Sequence, residues 1–563
     1  MQGSSLVSAV LYSVGPAILA ISFDTILGLP LGFFLCTSHA RYKRLLAILV
    51  RLPLGVPPLV AGVMLLVAFG PYSPIGKIFH GQLTNSFAAI FIAQAFTALP
   101  FVVEGARGAF GSIDLEAQVV ADSLLMGPVR RLNQIYIPLA WSSIRSSITL
   151  GFLRAFGEFG AVLLVAYSPA SLPIYTYISF EGAGLEATLA PIVITLIVTG
   201  VVAALLASMP WPQKVISALV GARIFKARLI YQGQIKLEST KPRVSCVTVY
   251  GKVGTFDLDV SFEVYRGCTV LLGPSGSGKT LTLHAIAHHI ADGLSASIEG
   301  ELASACESPI GYVPQKLGLW PHLNVMENLE LSAEISNSDV DLRSLLERFE
   351  VGSISSQRPE TLSGGQYQRA SLARAMATNS SVGILDEPLS ALDSHLRTGH
   401  RRLIHNEVKQ VFEYLFVVTH DVTEALYLAD FLVIIAQGRV LQQGPVSEVI
   451  KRPASSAVAQ ILGADCHILV ETSSVVSTEV ANREVSFFSN DVTLSDLGSD
   501  PGGTNYCLGV FSVRSIHQLP WRAEVELENS AGTFVANLTQ DYQMIAGKTH
   551  CEVRVPISRC FIF

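Results

Sequence analysis

Long apolar stretches that carry almost no charge dominate the first 208 residues of the chain. The clearest are Leu52 to Gly70, Ser86 to Val103 and Ala187 to Ser208, each long enough to cross a bilayer or nearly so. With two further candidates they predict five membrane spans, at about residues 6–36, 46–70, 86–110, 144–168 and 187–208. Pro16 interrupts the first of these, so two short segments are the alternative there.

Beyond residue 242 the pattern changes to short apolar runs that alternate with helix-like segments, which is typical of an α/β domain. The run CTVLL at residues 268–272 precedes GPSGSGKT, Gly273 to Thr280, and a helix-like LTLHAIA follows. A glycine-rich loop between a strand and a helix N-terminus is a phosphate cradle, because its backbone N–H groups and the helix dipole favour negative charge. Lys279 can reach the β and γ phosphates, and the Thr280 hydroxyl can bind Mg²⁺. Alone, the motif also fits an ordinary glycine-rich turn.

Further elements supply what ATP hydrolysis needs and the loop lacks. The buried run before Asp386 predicts a strand that delivers this carboxylate toward Mg²⁺ and places Glu387 beside the attacking water as general base. Gln315, in GYVPQ, can sense the metal and the water, and His420, after FVVT, can contact the γ-phosphate. Tyr250 is the candidate for stacking on adenine, with Phe256 as its rival.

Residues 243–463, with LSGGQ at Leu362 to Gln366, resemble the ATPase subunit of an ABC transporter. The resemblance implies that Ser363 and Gly365 of one copy cover the γ-phosphate bound by Lys279 of another, and that residues 390–393 couple the two sites. It departs from the family at Leu281, where a second hydroxyl residue is usual, and at residues 285–293, AIAHHIADG, which lack the usual Ala-Gly break. The predicted ATP-contacting residues are Tyr250, Gly273, Pro274, Ser275, Gly276, Ser277, Gly278, Lys279, Thr280, Leu281, Ser363, Gly364, Gly365 and Gln366.

Basic residues distribute unevenly between the connections of the predicted spans. Lys and Arg concentrate after the first, third and fifth spans, whereas the opposite connections hold only Lys77. The positive-inside rule therefore predicts an N-terminus outside the cell membrane and a cytoplasmic ATPase domain. The N-terminus lacks the basic flank of a cleavable signal.

Charged residues are few inside the predicted spans, and three of them stand out: Asp24, Arg154 and Glu158. Since lipid exposure of a charge is costly, all three are candidates for a bundle interior or a translocation path. An ion pair between Arg154 and Glu158 at i,i+4 is the structural alternative. Gly157 and Gly160 flank Glu158 and permit close helix approach.

The spans also resemble the permease subunits of molybdate, tungstate and sulfate importers, through LPLGVPPLVAG at residues 52–62 and GEFGA at 157–161. In these importers a cytoplasmic coupling loop carries an EAA, Gly, then Leu-Pro pattern. Counted back from Pro138, the acid position falls on Val119 and the glycine position on Leu125. A shifted register would use Glu116 and Ala117 instead.

The predicted fold class is multidomain: an all-α transmembrane permease bundle, an α/β P-loop ABC ATPase and a small C-terminal β-barrel. The last 100 residues contain short β-prone segments and resemble the OB-like, molybdate-binding-protein-like module of molybdate-importer ATPases, through Ser515, Leu519, Pro520, Thr539 and Gly547. The lysine expected near Val555 is absent, and a ligand-free dimerisation barrel is the alternative. The predicted domains are 1–208, a linker at 209–242, 243–463 and 464–563.

Composition restricts the remaining function classes. Only 15% of the chain is charged, against about 25% in a typical soluble chain. The eight cysteines form no CxxC pair and no cluster at metal spacing, and a net charge of −6 without a basic tract argues against nucleic-acid binding.

Together the residues and the resemblance predict an ATP-driven importer of molybdate or tungstate, with ATP and Mg²⁺ as cofactors. Since the composite site needs two ATPase domains and the chain has one, a homodimer is expected, served by a separate extracytoplasmic oxyanion-binding protein and embedded in lipid. The alternatives are a sulfate/thiosulfate importer and a membrane-anchored ATPase that senses an oxyanion. A further alternative is an ABC half-exporter, which would have six long spans and no C-terminal barrel.

Overall fold

The computed structural model describes most of the chain in two units. The described residues are 5–38, 42–209, 235–238, 244–316, 318–390, 392, 394–464, 466–473, 480–487, 493–495, 505–518, 523–529, 532–538, 550–556 and 560–562. One unit comprises described residues up to 115 and from 127 to 209, and the other comprises 116–126 and everything from 235 onward. The predicted linker therefore lies largely outside the described residues, and the domain boundaries within the second unit stay predictions.

The first unit is helical. Its α-helices are Leu6–Thr37, Lys43–Gly55, Pro58–Phe69, Pro74–Ile78, Phe87–Gly111, Pro128–Arg131, Ile137–Phe156, Gly160–Val165, Leu172–Ala183 and Leu189–Ser208. A short π-helix, Leu132–Tyr136, precedes Ile137–Phe156, and a short 3-10 helix, Leu185–Thr188, precedes Leu189–Ser208.

Within the described residues, three helices are long and apolar enough to cross a membrane: Leu6–Thr37, Phe87–Gly111 and Leu185–Leu206. The pair Lys43–Gly55 and Pro58–Phe69, bent by 116°, makes a fourth if it is one span. The first predicted span is one continuous helix that contains Pro16, not two short segments.

The predicted span at 144–168 differs from the structure. The helix Ile137–Phe156 ends there, and a short helix, Gly160–Val165, follows. The Glu158 side chain accepts a hydrogen bond from the backbone N–H of Ala161 at 2.8 Å, so it caps the second helix at the break. A charged capping residue thus divides an apolar run that hydropathy reads as continuous.

Small residues bring the two longest helices together. A side chain on Gly28 would meet Val102 at 3.0 Å, and one on Gly32 would meet Ala106 at 2.8 Å, so these glycines let Leu6–Thr37 pack directly on Phe87–Gly111. By contrast, large apolar side chains of Leu189–Ser208 are exposed, as on a helix that faces lipid.

In the described part of the second unit, ten strands form one sheet. In spatial order its strands are Ile235–Glu238, Leu294–Glu299, Ser245–Val253, Phe256–Val264, Arg439–Pro445, Phe431–Ala436, Gly267–Leu272, Tyr414–Thr419, Val382–Asp386 and Gly311–Val313. Its α-helices are Leu115–Ser123, Lys279–Ile286, Glu301–Cys306, Val325–Ser336, Leu342–Arg348, Gly364–Met376, Ser394–Leu403, Val422–Leu428, Val446–Lys451 and Ser456–Ile461.

The last five strands in that order are parallel to one another and buried on both faces, which explains their continuous apolar sequences. Leu272 pairs with Thr419, and Asp386 pairs with Val418. Because the carboxyl ends of parallel strands meet at one edge of a sheet, the residues that follow four of these strands converge there. This edge holds the candidate site.

The C-terminal strands confirm the β-rich character predicted for residues 464–563. Cys466–Ser473, Val480–Phe487 and Cys560–Ile562 form one antiparallel sheet, and Thr493–Ser495, His550–Pro556, Asn505–Gln518, Ala523–Asn529 and Gly532–Leu538 form another. An OB-like barrel stays a prediction. Ser515 lies in a described strand, while Leu519, Pro520, Thr539 and Gly547 lie outside the described residues. Val555, near the expected lysine, is fully buried.

Candidate active site

The glycine-rich loop leaves the strand Gly267–Leu272 and enters the helix Lys279–Ile286, hereafter the phosphate helix. Gly276 and Gly278 have φ of 78° and 100°, a left-handed conformation that favours glycine. A side chain on Gly273 would lie 2.0 Å from the carbonyl oxygen of Ile435, and one on Gly278 would lie 2.5 Å from Leu258. The loop is therefore shaped by glycine at three positions, as the predicted phosphate cradle requires. Pro274, Ser275 and Ser277 complete it, and Leu281 lies half-buried in the first turn of the phosphate helix.

Lys279 is buried at the mouth of this cradle. Its ammonium donates to the carbonyl oxygens of Gly273 at 2.9 Å and Pro274 at 2.7 Å. Burial lowers the pKa of Lys279, while the nearby carboxylates of Glu387 and Asp386 act in the opposite direction. The lysine is thus held where a phosphate in the cradle would receive its charge.

Asp386 ends the strand Val382–Asp386 beside the phosphate helix. Its Oδ1 accepts a hydrogen bond from Thr280 Oγ1 at 3.3 Å. Burial raises the pKa of the Asp386 carboxyl to about 7, although the Thr280 hydrogen bond lowers it. A buried carboxylate and a hydroxyl next to a phosphate cradle are oxygen ligands that Mg²⁺ prefers, so these two residues fit the predicted metal site.

Glu387 has an unusual backbone. Its φ is 45°, in the left-handed region that non-glycine residues rarely adopt. Its N–H donates to Val418 at 2.9 Å, and its carbonyl accepts from the Ser390 N–H at 3.1 Å and hydroxyl at 2.9 Å. Strained residues persist where their surroundings over-determine them, and here both peptide groups of Glu387 are fixed. Residues 390–393 are predicted to couple the two ATP sites, and two of them, Ala391 and Asp393, lie outside the described residues.

Two of the predicted site residues meet the carboxylate of Glu387. Gln315 Nε2 donates to Oε2 at 3.0 Å, and His420 Nδ1 lies 3.2 Å from Oε1. The structure thus brings together Gln315, Glu387 and His420, each from the end of a different strand. This bridge orients the carboxylate of the predicted general base.

A buried carboxylate behind His420 was missed by sequence reasoning. Glu424 is 5% exposed and accepts a hydrogen bond from Thr419 Oγ1 at 2.6 Å. The same hydroxyl accepts from the Asp421 N–H at 3.0 Å, so these residues fix the backbone on both sides of His420. Burial raises the pKa of Glu424 to about 6. The threonine before His420 and the acid four residues after it were the available sequence signal.

The LSGGQ segment begins the helix Gly364–Met376. Ser363 is its N-cap and forms a capping box with Gln366, with the Ser363 N–H donating to Gln366 Oε1 at 3.0 Å. Ser363 and Gly364 are exposed, and the Gly365 carbonyl lies 3.3 Å from His400 Nε2. Farther along, the fully buried Arg374 donates to the carbonyl of Tyr312 and so ties this helix to the strand that leads to Gln315.

The two adenine-stacking candidates differ in position. Tyr250 lies on the strand Ser245–Val253 with 53% of its surface exposed. Phe256, in contrast, packs within 3.3 Å of the position that a side chain on Gly278 would take, directly against the phosphate loop. Both remain candidates for stacking on the adenine of ATP.

Residues 116–126, which lie within the predicted coupling loop and are hereafter the coupling segment, belong to the same unit as the ATPase sheet. Glu116 accepts a hydrogen bond from the backbone N–H of Lys316 at 2.6 Å, one residue after Gln315. Val119, at the expected acid position, is fully buried, where an unpaired carboxylate would be costly. Leu125, at the expected glycine position, has φ of 52° and keeps the left-handed conformation without the glycine.

The three charged residues singled out in the spans, Asp24, Arg154 and Glu158, have different surroundings. Arg154 Nη1 lies 2.6 Å from Glu158 Oε2, so the alternative of an intramembrane ion pair matches the structure. Gly160 packs against Pro58, whose side chain would lie 2.6 Å from a Cβ there, whereas Gly157 has no such neighbour. Asp24 is fully buried, and among the described residues neither of its carboxylate oxygens has a hydrogen-bond partner.

Two family models match different parts of the chain. Residues 258–390 match the ABC transporter family model, and residues 28–211 match the model for the binding-protein-dependent transport system inner membrane component. The chain is 31% identical over 314 residues to a sulfate/thiosulfate import ATP-binding protein of Rhizobium meliloti, covering 52% of this chain and 79% of that protein. The chain belongs to the ABC transporter family.

Other relatives of this ABC transporter differ in their described cargo. A probable molybdenum ABC transporter permease protein of Haloferax volcanii is 35% identical over 210 residues, with 37% of this chain and 77% of that protein covered. An Fe(3+) ions import ATP-binding protein of Pseudomonas fluorescens is 37% identical, with 36% and 61% covered. The first of these relatives is a permease and the second an ATPase, so this ABC transporter joins in one chain what these relatives carry separately.

Solved structures of ATPase subunits are also similar to the chain. An ATP-binding cassette of an ABC transporter in its ADP conformation has a TM-score of 0.32 at 21% identity, covering 38% of this chain and 97% of that one. An ATP-binding subunit of an ABC transporter has a TM-score of 0.33 at 24% identity, covering 39% and 99%. As its family and relatives indicate, this ABC transporter binds and hydrolyses ATP and couples hydrolysis to import across a membrane.

Proposed function

We propose that this ABC transporter is a homodimeric importer of a tetrahedral oxyanion, molybdate or tungstate, which receives its substrate from a separate extracytoplasmic binding protein. The observation that carries the ATPase half of the proposal is the bridge of Gln315 and His420 to Glu387, set beside the cradle of Lys279. The oxyanion is supported by the sequence resemblance and by the names of the relatives.

In the hydrolytic step, Lys279 and the cradle N–H groups neutralise the phosphates, and Glu387 takes the proton of the attacking water. His420 and Gln315 orient Glu387, and His420 also contacts the γ-phosphate. Thr280, Asp386 and Gln315 would hold Mg²⁺, which supplies charge neutralisation on the phosphate oxygens when bound.

The composite site needs a second copy. Ser363 and Gly364 are exposed at the N-terminus of a 13-residue helix, where N–H groups and the helix dipole favour an anion. We place this end over the γ-phosphate held by the partner copy. Hydrolysis then requires two chains, and an isologous homodimer supplies two equivalent sites.

Residues 116–126 connect this chemistry to transport. Glu116 binds the Lys316 N–H, and the neighbouring Gln315 binds Glu387. Residues 314–316, hereafter the Gln315 loop, therefore displace residues 116–126 when they shift on ATP binding or hydrolysis. The sequence places that segment between two membrane helices. The loss of the usual acid and glycine at Val119 and Leu125 is offset by Glu116 and by the left-handed Leu125.

The test is uptake of radiolabelled molybdate, tungstate and sulfate into proteoliposomes that contain the full chain, ATP and a candidate oxyanion-binding protein. Wild type should accumulate molybdate or tungstate, while the matched Glu387→Gln variant should accumulate neither. Preferred accumulation of sulfate would contradict the choice of anion and favour a sulfate/thiosulfate importer. ATP hydrolysis without accumulation of any anion would contradict import and favour a membrane-anchored sensor.

A further inference from the structure

The phosphate helix ends in a C-terminal cap that is formed without glycine. After Ile286 the chain turns at His288, whose φ of 64° is the left-handed conformation that helix C-termini usually assign to glycine. The backbone N–H of His289 donates to the carbonyl of His284 at 2.8 Å and closes the cap. A histidine thus takes the position where the usual Ala-Gly break is missing.

A second contact holds His288 in this conformation. Its ring Nε2 lies 2.7 Å from the carbonyl oxygen of Cys306, at the end of the helix Glu301–Cys306. An imidazole bonded to a backbone carbonyl offsets part of the cost of a left-handed non-glycine residue. The chain from Lys279 to His289 is therefore one fixed element, with the phosphate cradle at one end and His289 at the other.

His289 meets the coupling segment. Its Nδ1 lies 2.8 Å from Oδ2 of Asp122, and their side chains are only 20% and 12% exposed. The adjacent carbonyl of Ser123 accepts a hydrogen bond from the Ile310 N–H at 2.8 Å, so the end of the segment is also fixed through its backbone. Glu116 contacts the Gln315 loop from the other end of the segment.

We propose that the Asp122–His289 pair is a second coupling contact, which links the phosphate helix directly to residues 116–126 without passing through the Gln315 loop. Nucleotide in the cradle orders the phosphate helix, and the fixed cap carries that ordering to Asp122. Asp122 and His289 are positioning residues: neither lies in the cradle, and both act through the helix between them. The proposal rests on ATP-driven import but not on the identity of the anion.

The test is hydrogen–deuterium exchange on the full chain in lipid nanodiscs, with and without a non-hydrolysable ATP analogue and Mg²⁺. In wild type the analogue should slow exchange both in peptides covering 279–289 and in peptides covering 116–126. In Asp122→Ala and in His289→Ala, the 116–126 amides should exchange about tenfold faster or more, since a charge-assisted hydrogen bond is lost. They should also stop responding to the analogue, while residues 279–289 still respond.

Matched variants distinguish loss of the coupling contact from a general loss of folding. Glu330→Ala removes an exposed carboxylate from the helix Val325–Ser336 and should leave both responses as in wild type. The reciprocal swap, Asp122→His with His289→Asp, keeps one imidazole and one carboxylate across the contact and should restore the response of 116–126. An unchanged response of that segment in both alanine variants, or a folded swap that fails to restore it, would overturn the proposal. Because no anion is present, failure of molybdate uptake leaves this result unaffected.

Discussion

Gln315 Nε2 lies 3.0 Å from one carboxylate oxygen of Glu387, whose other oxygen lies 3.2 Å from His420 Nδ1. The two groups approach from the ends of the strands Gly311–Val313 and Tyr414–Thr419, on either side of the strand that ends at Asp386. Glu387 is therefore held by its backbone, in a left-handed conformation, and by both oxygens of its side chain. This fixed orientation is what a general base needs before water arrives.

Glu387→Gln should retain ATP binding and lose turnover. Glutamine keeps the size and an oxygen acceptor but cannot take a proton, so kcat should fall about 10²-fold or more. Binding of a fluorescent ATP analogue and steady-state hydrolysis by the full chain measure the two effects. A variant that hydrolyses ATP at the wild-type rate would refute the assignment of the base.

Gly273→Ala should abolish ATP binding. Its Cβ would lie 2.0 Å from the backbone oxygen of Ile435, which cannot move without disturbing the neighbouring strand, so the cradle must distort. The matched control is Gly352→Ala, where a Cβ meets no atom within 4 Å and ATP binding should be unchanged. Equal ATP affinity in the two variants would contradict the predicted role of the loop.

Glu424→Gln should change how stability depends on pH. Burial raises the pKa of Glu424 from 4.5 to about 6, so its stabilising contribution is complete below pH 4.5 and is lost as pH rises through 6. This difference corresponds to about 2 kcal/mol. Relative to wild type, the variant should therefore gain about that much unfolding free energy between pH 4.5 and 7.

Thermal unfolding of the full chain across this pH range measures the change. The control is Glu330→Gln, an exposed glutamate on the helix Val325–Ser336, which should follow wild type at every pH. A Glu424→Gln profile parallel to that of wild type would show that the buried carboxyl does not titrate in this range.

Substitutions at Leu125 should report on its left-handed backbone. Leu125→Gly should leave stability unchanged or raise it by about 1 kcal/mol, since glycine adopts this conformation without strain. Leu125→Val should lower stability by about 1 kcal/mol, because a β-branched residue fits the left-handed region poorly. Thermal unfolding of both variants checks the order, and a valine variant as stable as the glycine variant would contradict it.

The sequence predicts the strands and helix starts that carry the candidate nucleotide-site residues, because a local pattern identifies each of these elements. The apolar run at Val382–Leu385 predicts a buried strand, and the strand fixes where Asp386 and Glu387 lie. The bridge from Gln315 and His420 to Glu387, in contrast, depends on strand order in the sheet. Strand order is a long-range property that no local window contains.

The contacts of residues 116–126 were less predictable for a related reason. Counting back from Pro138 puts the expected acid on Val119 and the expected glycine on Leu125, and the structure shows Val119 buried and Leu125 in a left-handed conformation. The acids that replace the missing signature, Glu116 and Asp122, find partners about 200 and 167 residues away along the chain. Hydropathy failed in a similar way at Gly157–Phe159, where the capping bond from Ala161 to Glu158 starts a new helix.

The measurement that tests the account most directly is ATP hydrolysis by purified dimers in which each copy carries a different tag and a different defect. With Lys279→Ala in one copy and Ser363→Arg in the other, a site shared between copies leaves one site intact, and hydrolysis should persist. With both substitutions in one copy beside a wild-type partner, both shared sites are defective and hydrolysis should be lost. The reverse result, hydrolysis only when both defects lie in the same copy, would show that each chain completes its own site.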